Sequence, residues 1–77
     1  MSVEIVFVPA EGRNIAHIGE AYTKEDCLRL IGEVEPEQTG IYEYIVHEHK
    51  VVRYVSTIDR PSIERTLNRI FNITRPK

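Results

Sequence analysis

Short runs of β-branched and aromatic residues alternate along the chain with stretches of helical periodicity. The first run, residues 3–8, is apolar on both faces in its second half, as in a strand that is central in a sheet or covered by a second subunit. Pro9 and the Glu11-Gly12 pair favour a turn after it. Residues 14–18 then predict a weaker second strand that forms a hairpin with the first.

Helical spacing of apolar positions appears twice, each time behind a residue that can cap a helix. Thr23 precedes such positions over residues 24–34, and Pro36 ends this helix. Asp59 and Pro61 open a second helix. The apolar stripe of the second helix consists of Ile63, Leu67, Ile70, Phe71 and Thr74.

The clearest strand pattern lies between the two helices, over residues 41–47 and 51–58. Only Glu48, His49 and Lys50 separate these runs, which predicts a hairpin. Its register stays open, because no Asn-Gly or Asp-Gly pair fixes the turn type. The order β-β-α-β-β-α predicts a single two-layer α+β domain over residues 1–77, with an antiparallel or mixed sheet of about four strands and two helices on one face.

Charge is unevenly distributed along the 77 residues. Residues 1–59 hold five basic and eleven acidic side chains, a net charge of −6, whereas residues 60–77 hold five basic and one acidic, a net charge of +4. An acidic body with a basic C-terminal segment influences partner choice and association rates rather than fold. The single cysteine, Cys27, excludes an intramolecular disulfide, so we expect a cytoplasmic protein. No run approaches the roughly 18 apolar residues that a membrane span needs, so we expect no membrane partner.

Few residues suggest catalysis or metal binding. In a continued strand, His47 and His49 would project to one face and could hold a metal ion, with His17 as a third ligand. Two residues of His47-Glu48-His49 lie at the predicted turn, however, where solvated polar side chains are usual. His17 and Glu43 are the only titratable residues expected on strand interiors, and no nucleophile or phosphate-binding motif is present. We therefore expect a non-enzymatic protein without a cofactor.

Nucleic-acid binding is one alternative function. Arg65, Arg69, Arg75 and Lys77 lie on or just after the second helix and could neutralise phosphates, and the hairpin tyrosines could offer stacking surfaces. The acidic remainder of the chain would repel a polyanion outside a narrow stripe. In the competing interpretation, these arginines pair with acidic side chains of the first helix or of the loop at residues 35–38.

Protein binding is the function that we predict. Because the two helices cover only one face of the sheet, Val6 and Val8, or the row of Tyr42, Tyr44 and Val46, would face outward as an apolar patch typical of an interface. In one register Tyr44 and Arg53 are cross-strand neighbours and would anchor that interface. In the competing interpretation, the tyrosines cover the core beneath the helices.

The predicted protein-binding role is that of a regulator or inhibitor of a larger protein or complex, or of a homodimer. The acidic surface around Glu33, Glu35 and Glu37 would steer association with a basic partner, such as a protein that handles nucleic acid.

Overall fold

A computed structural model describes residues 1–11, 15–33 and 39–73 of the chain. Its elements follow the order β-β-α-β-β-α, which confirms the predicted α+β fold. They are β1 (Ser2–Pro9), β2 (Ala16–Ala21), α1 (Lys24–Glu33), β3 (Gly40–His47), β4 (Val51–Thr57) and α2 (Arg60–Ile73). Of the described helices, neither α1 nor α2 has the length and apolar character that a membrane crossing requires.

The four strands form one antiparallel sheet in the order β2-β1-β3-β4. This order joins two ββα units, β1-β2-α1 and β3-β4-α2, whose first strands pair at the centre of the sheet. Strands β2 and β4 are consequently the two edges. The helices lie on the same face of the sheet, with α1 against β2 and α2 against β4.

The second strand extends further along the chain than the sequence pattern predicted. Instead of ending at Ile18 it continues to Ala21, which pairs with Val3 and is buried. The register between β1 and β2 shifts at Ile18, which is the extra residue of a bulge. Gly19 and Ala21, after the bulge, are small residues. They lack the large apolar side chains by which the sequence pattern predicts a strand.

The core lies between the sheet and the helices. Every second residue of the two central strands points into it, as the alternation of side chains along a strand requires. The buried core side chains are Val3, Ile5, Phe7, Ala21, Cys27, Ile31, Tyr42, Tyr44, Val46, Ile63, Leu67 and Ile70.

Both helices begin at the predicted caps. The backbone N–H of Asp26 donates to Thr23 Oγ1, and that of Ser62 donates to Asp59 Oδ2, each at 3.1 Å. Asp59 also accepts a hydrogen bond from the Thr57 hydroxyl, and these donors hold the pKa of Asp59 below its usual value. Local sequence signals therefore determine where each helix starts.

Candidate functional site

The sheet face opposite the helices, which we call the open face, is partly apolar. Its side chains follow from the register of the four strands, because residues paired across an antiparallel sheet share a face. The apolar members are Val6, Val8, Ile41, Ile45, Val51 and Val55. The polar and charged members are Ser2, Glu4, His17, Glu20, Glu43, His47, Arg53 and Thr57.

The prediction that Tyr42 and Tyr44 face outward is wrong. Their side chains are 1% and 0% exposed and lie in the core beneath the helices. The Tyr44 hydroxyl is 2.7 Å from Ser56 Oγ, and burial raises the pKa of Tyr44 to about 12. A polar tip with a buried partner lets tyrosine occupy a core position, so neither residue is available to a binding partner.

The predicted pairing of Tyr44 with Arg53 is also wrong. Tyr44 pairs with Tyr54, and Arg53 pairs with Ile45 on the opposite face. Arg53 Nη1 is 3.6 Å from Glu43 Oε1, and the Arg53 side chain is 68% exposed. An exposed ion pair of this kind contributes little to stability, so Arg53 remains available for other contacts.

Val6 and Val8 lie on the open face, as one branch of the sequence prediction had it, but they are not its most exposed apolar residues. Val6 is only 9% exposed because its neighbours on the adjacent strands cover it. Val51 and Val55 are 59% and 55% exposed, and both lie on β4. The accessible apolar area of the open face is therefore concentrated at the β4 edge.

The carboxylate of Glu4 lies between two histidines on the open face. His47 Nε2 is 2.7 Å from Glu4 Oε1, and His17 Nε2 is 3.3 Å from Glu4 Oε2. The hydrogen bond from His47 is the main cause that holds the pKa of Glu4 below its usual value, against the effect of desolvation. The open face thus keeps a carboxylate charge between two imidazoles.

The three histidines considered as metal ligands lie at different places in the fold. His17 lies opposite Val6 and His47 lies opposite Ser2, on the two strands that flank β1, and each imidazole contacts the Glu4 carboxylate. His49 lies in the exposed turn before β4. Within the described residues, no three His, Cys, Asp or Glu side chains form a metal site.

The remaining candidates for chemistry lie apart from one another. Cys27 is a free, fully buried thiol, and desolvation raises its pKa to about 11, so it is protonated and unreactive at neutral pH. His17 and Glu43 are both on the open face, on strands separated by β1. Both are paired with Val6, on opposite sides of β1.

The basic residues of α2 are exposed where the structure describes them. Arg65 and Arg69 make no ion pair with any described residue. Arg75 and Lys77 lie outside the described residues. The same holds for Glu35 and Glu37, and Glu33 is the last residue of α1 with its side chain outside the description. The acidic surface predicted at these three positions stays a prediction.

The two edges of the sheet differ in regularity. β2 has six residues and is interrupted by the bulge at Ile18, whereas β4 has seven residues in unbroken register with β3. Short or bulged edges resist pairing with another chain, and long regular edges invite it. No sequence motif marks β4 as an edge, because strand order follows from long-range pairing.

No protein-family model matches the chain, and neither a curated protein nor a solved structure is significantly similar to it.

Proposed function

We propose that this protein is a non-enzymatic binding module whose open face docks against another protein in the cytoplasm. The observation that carries the proposal is the exposure of the apolar side chains on this face, which increases from β1 toward β4. Val6 on β1 is 9% exposed, whereas Val51 and Val55 on β4 are more than half exposed. An exposed apolar patch rimmed by charges is typical of a protein interface.

The charged residues of the open face supply specificity for such a partner. Glu4 contacts His17 and His47, and Arg53 lies 3.6 Å from Glu43. A docking protein must therefore offer apolar side chains between groups that complement fixed charges. Regulation or inhibition of a larger protein is the form of this function that we propose, and the exposed apolar residues beside fixed charges on the open face support it.

Position-specific cross-linking tests the proposed function. A photoreactive amino acid replaces Val55 on the open face, and a matched control places it at the exposed Arg29 on α1. In lysate of the native cells, we expect one discrete product from position 55 and none from position 29. A product with a second copy of this chain would identify the partner as the homodimer.

Two matched substitutions test whether formation of the cross-linked product depends on the open face. Ile45→Gln makes the centre of the open face polar, and Leu28→Gln makes the same change at a partly buried site on α1. We expect the first to abolish the product and the second to preserve it, with the fold of both verified by circular dichroism. A product that survives Ile45→Gln contradicts the proposal.

Nucleic-acid binding by α2 remains the second candidate, because Arg65 and Arg69 are exposed and have no ion-pair partner among the described residues. Of the three tyrosines predicted as stacking surfaces, Tyr42 and Tyr44 are buried and Tyr54 is partly buried. If it holds, a short oligonucleotide binds with a steep salt dependence that Arg65→Glu and Arg69→Glu abolish. Unchanged binding in these variants contradicts it.

A further inference from the structure

We propose that the free edge of β4 binds an extended acidic segment of the partner protein, which adds to the sheet as a fifth strand. This inference rests on the proposed function and specifies how the open face is extended. An added strand gains affinity from main-chain hydrogen bonds and specificity from alternate side chains.

The hydrogen bonding at the hairpin turn shows which backbone groups of β4 are free. Glu48 N–H donates to the Lys50 carbonyl at 3.4 Å, and this bond makes the adjacent residues His47 and Val51 a non-hydrogen-bonded pair. In such a pair, the amide and carbonyl of each residue point away from the neighbouring strand. The backbone N–H and C=O groups of Val51 therefore point away from β3, toward the free edge of the sheet.

The far end of β4 gives the same pattern. Thr57 N–H donates to Ser62 Oγ of α2 at 3.1 Å and is therefore turned away from β3. Because backbone groups alternate in direction along a strand, those of Arg53 and Val55 also point away from β3, like those of Val51. No other described residue hydrogen-bonds to these groups. Three consecutive outward positions are thus open to an added strand.

The charge around β4 favours an acidic occupant. β4 carries a single charged side chain, Arg53, and the described residues 39–73 contain five basic and four acidic side chains, a net charge of +1. Arg53 projects onto the open face from the middle outward position of β4, and its side chain is 68% exposed. A carboxylate placed opposite Arg53 would meet a guanidinium that lies 3.6 Å from Glu43.

A second copy of this chain is a less suitable occupant for the β4 edge. Full-length antiparallel pairing of two β4 strands would centre on Tyr54 and bring the two copies of α2, which packs on β4, next to each other. Each α2 carries exposed Arg65 and Arg69, so this pairing would bring four like charges into the neighbourhood of the junction. An acidic segment from a different protein meets no such repulsion.

The side chains of β4 specify the pattern of the added strand. Residues that hydrogen-bond to Val51, Arg53 and Val55 present their own side chains on the open face. The preferred segment therefore alternates an apolar residue, an acidic residue and an apolar residue at every second position. The peptide Thr-Val-Thr-Glu-Thr-Val-Thr is a minimal probe, with glutamate opposite Arg53 and the valines opposite Val51 and Val55.

Backbone-methylated peptides test the main-chain contacts without changing the protein. N-methylation of the two valines and the glutamate removes the three N–H donors that face β4. N-methylation of the first three threonines of the peptide removes only donors on its opposite edge. In a chemical-shift titration, we expect the first peptide to bind about 100-fold more weakly than the unmodified probe, for three lost hydrogen bonds. We expect the second peptide to bind like the probe. Equal binding of both methylated peptides overturns the inference.

A charge swap tests the acidic specificity. Arg53→Glu should weaken binding of the glutamate probe by about fivefold or more, and should favour the same peptide with lysine in place of glutamate. The control Arg29→Glu changes the same charge on α1 and should bind the probe like the native chain. A preference for glutamate that is unchanged in Arg53→Glu contradicts the inference.

The other occupants are outcomes of the same experiments. Dimerisation of the free chain through β4 in sedimentation velocity, or an oligonucleotide that displaces the probe from β4, would overturn the acidic-segment inference. If the probe fails to bind while the cross-linked partner still depends on Ile45, the edge inference is wrong and the open-face binding module stands. Loss of both contradicts the proposed function as well.

Discussion

The two ββα units of this protein share a topology but differ in charge and in the regularity of their edges. Residues 1–38 contain three basic and eight acidic side chains, a net charge of −5, whereas residues 39–77 carry +3. The first unit ends the sheet with a short, bulged strand, and the second ends it with a regular one. Equivalent scaffolds can therefore present one protected edge and one edge suited to binding.

The helices of the two units place their core residues in the same way relative to their caps. Cys27 and Ile31 follow the Thr23 cap by four and eight residues, and Ile63 and Leu67 follow Asp59 by the same intervals. The covered side of the sheet is thus nearly symmetric between the units. The difference between them lies on the surface.

The largest expected effect tests this symmetry of the core. Leu67→Ala removes a fully buried side chain and should lower the free energy of unfolding by about 3 kcal/mol. Ile31→Ala at the matching position, which is 8% exposed, should cost somewhat less. Urea unfolding of both variants checks the comparison, and a cost below ~1 kcal/mol for Leu67→Ala would show that α2 does not cover the core.

The glycines on either side of the junction between the units should respond in opposite directions. A Cβ on Gly40 would lie 2.4 Å from the Val8 carbonyl oxygen and 2.7 Å from the Phe7 ring, so Gly40→Ala should destabilise by about 2 kcal/mol. Gly32 of α1 has open space around it, and Gly32→Ala should stabilise by up to about 1 kcal/mol. Melting temperatures that change in the same direction would refute the close approach of β1 and β3.

A smaller effect is expected at the buried hydroxyl pair beneath the helices. Tyr44→Phe removes the hydrogen bond to Ser56 and should cost about 1 kcal/mol. Ser56 Oγ keeps its hydrogen bond to the Thr57 carbonyl at 3.0 Å, so it is not left without a partner. Chemical denaturation of Tyr44→Phe, Ser56→Ala and the double variant gives the coupling free energy between the two hydroxyl groups. A coupling free energy of zero would contradict the hydrogen bond.

The smallest effect concerns the carboxylate on the open face. Because the folded-state pKa of Glu4 is lower than the usual value of a glutamate, its contribution to stability is fully present above that usual pKa and is lost as the pH falls through the folded pKa. Glu4→Gln should therefore flatten the pH dependence of unfolding in that acidic range and leave its shape near neutrality. If the free energy of unfolding falls with decreasing pH in the same way in both proteins, His17 and His47 do not stabilise the charged carboxylate.

The elements of the fold follow from local sequence signals, whereas the binding surface does not. Thr23 and Asp59 cap the helices as their positions predict, and the dense β-branched runs form β3 and β4. The hairpin register depends on long-range packing, because a shift of one residue exchanges the two faces of a strand. For this reason the sequence could not decide whether Tyr44 or Arg53 faces outward.

The sequence also could not show that β4 is an edge strand. Which strand lies at an edge depends on the pairing of β1 with β3, residues almost forty positions apart in the chain. Val51 and Val55 look like ordinary strand residues until that pairing is known. The sequence does show the basic character of the second half of the chain, a net charge of +3 over residues 39–77.

Amide-resolved hydrogen exchange, in the absence and presence of the glutamate peptide, tests the availability of the β4 edge most directly. In the free protein, we expect fast exchange at Arg53 and Val55 and slow exchange at Val52 and Tyr54, whose amides face β3. The peptide should slow exchange at Arg53 and Val55 and leave the amides of β2 unchanged. Slow exchange at Arg53 and Val55 in the free monomer, or protection by the peptide at β2 instead, would contradict a free and selective edge.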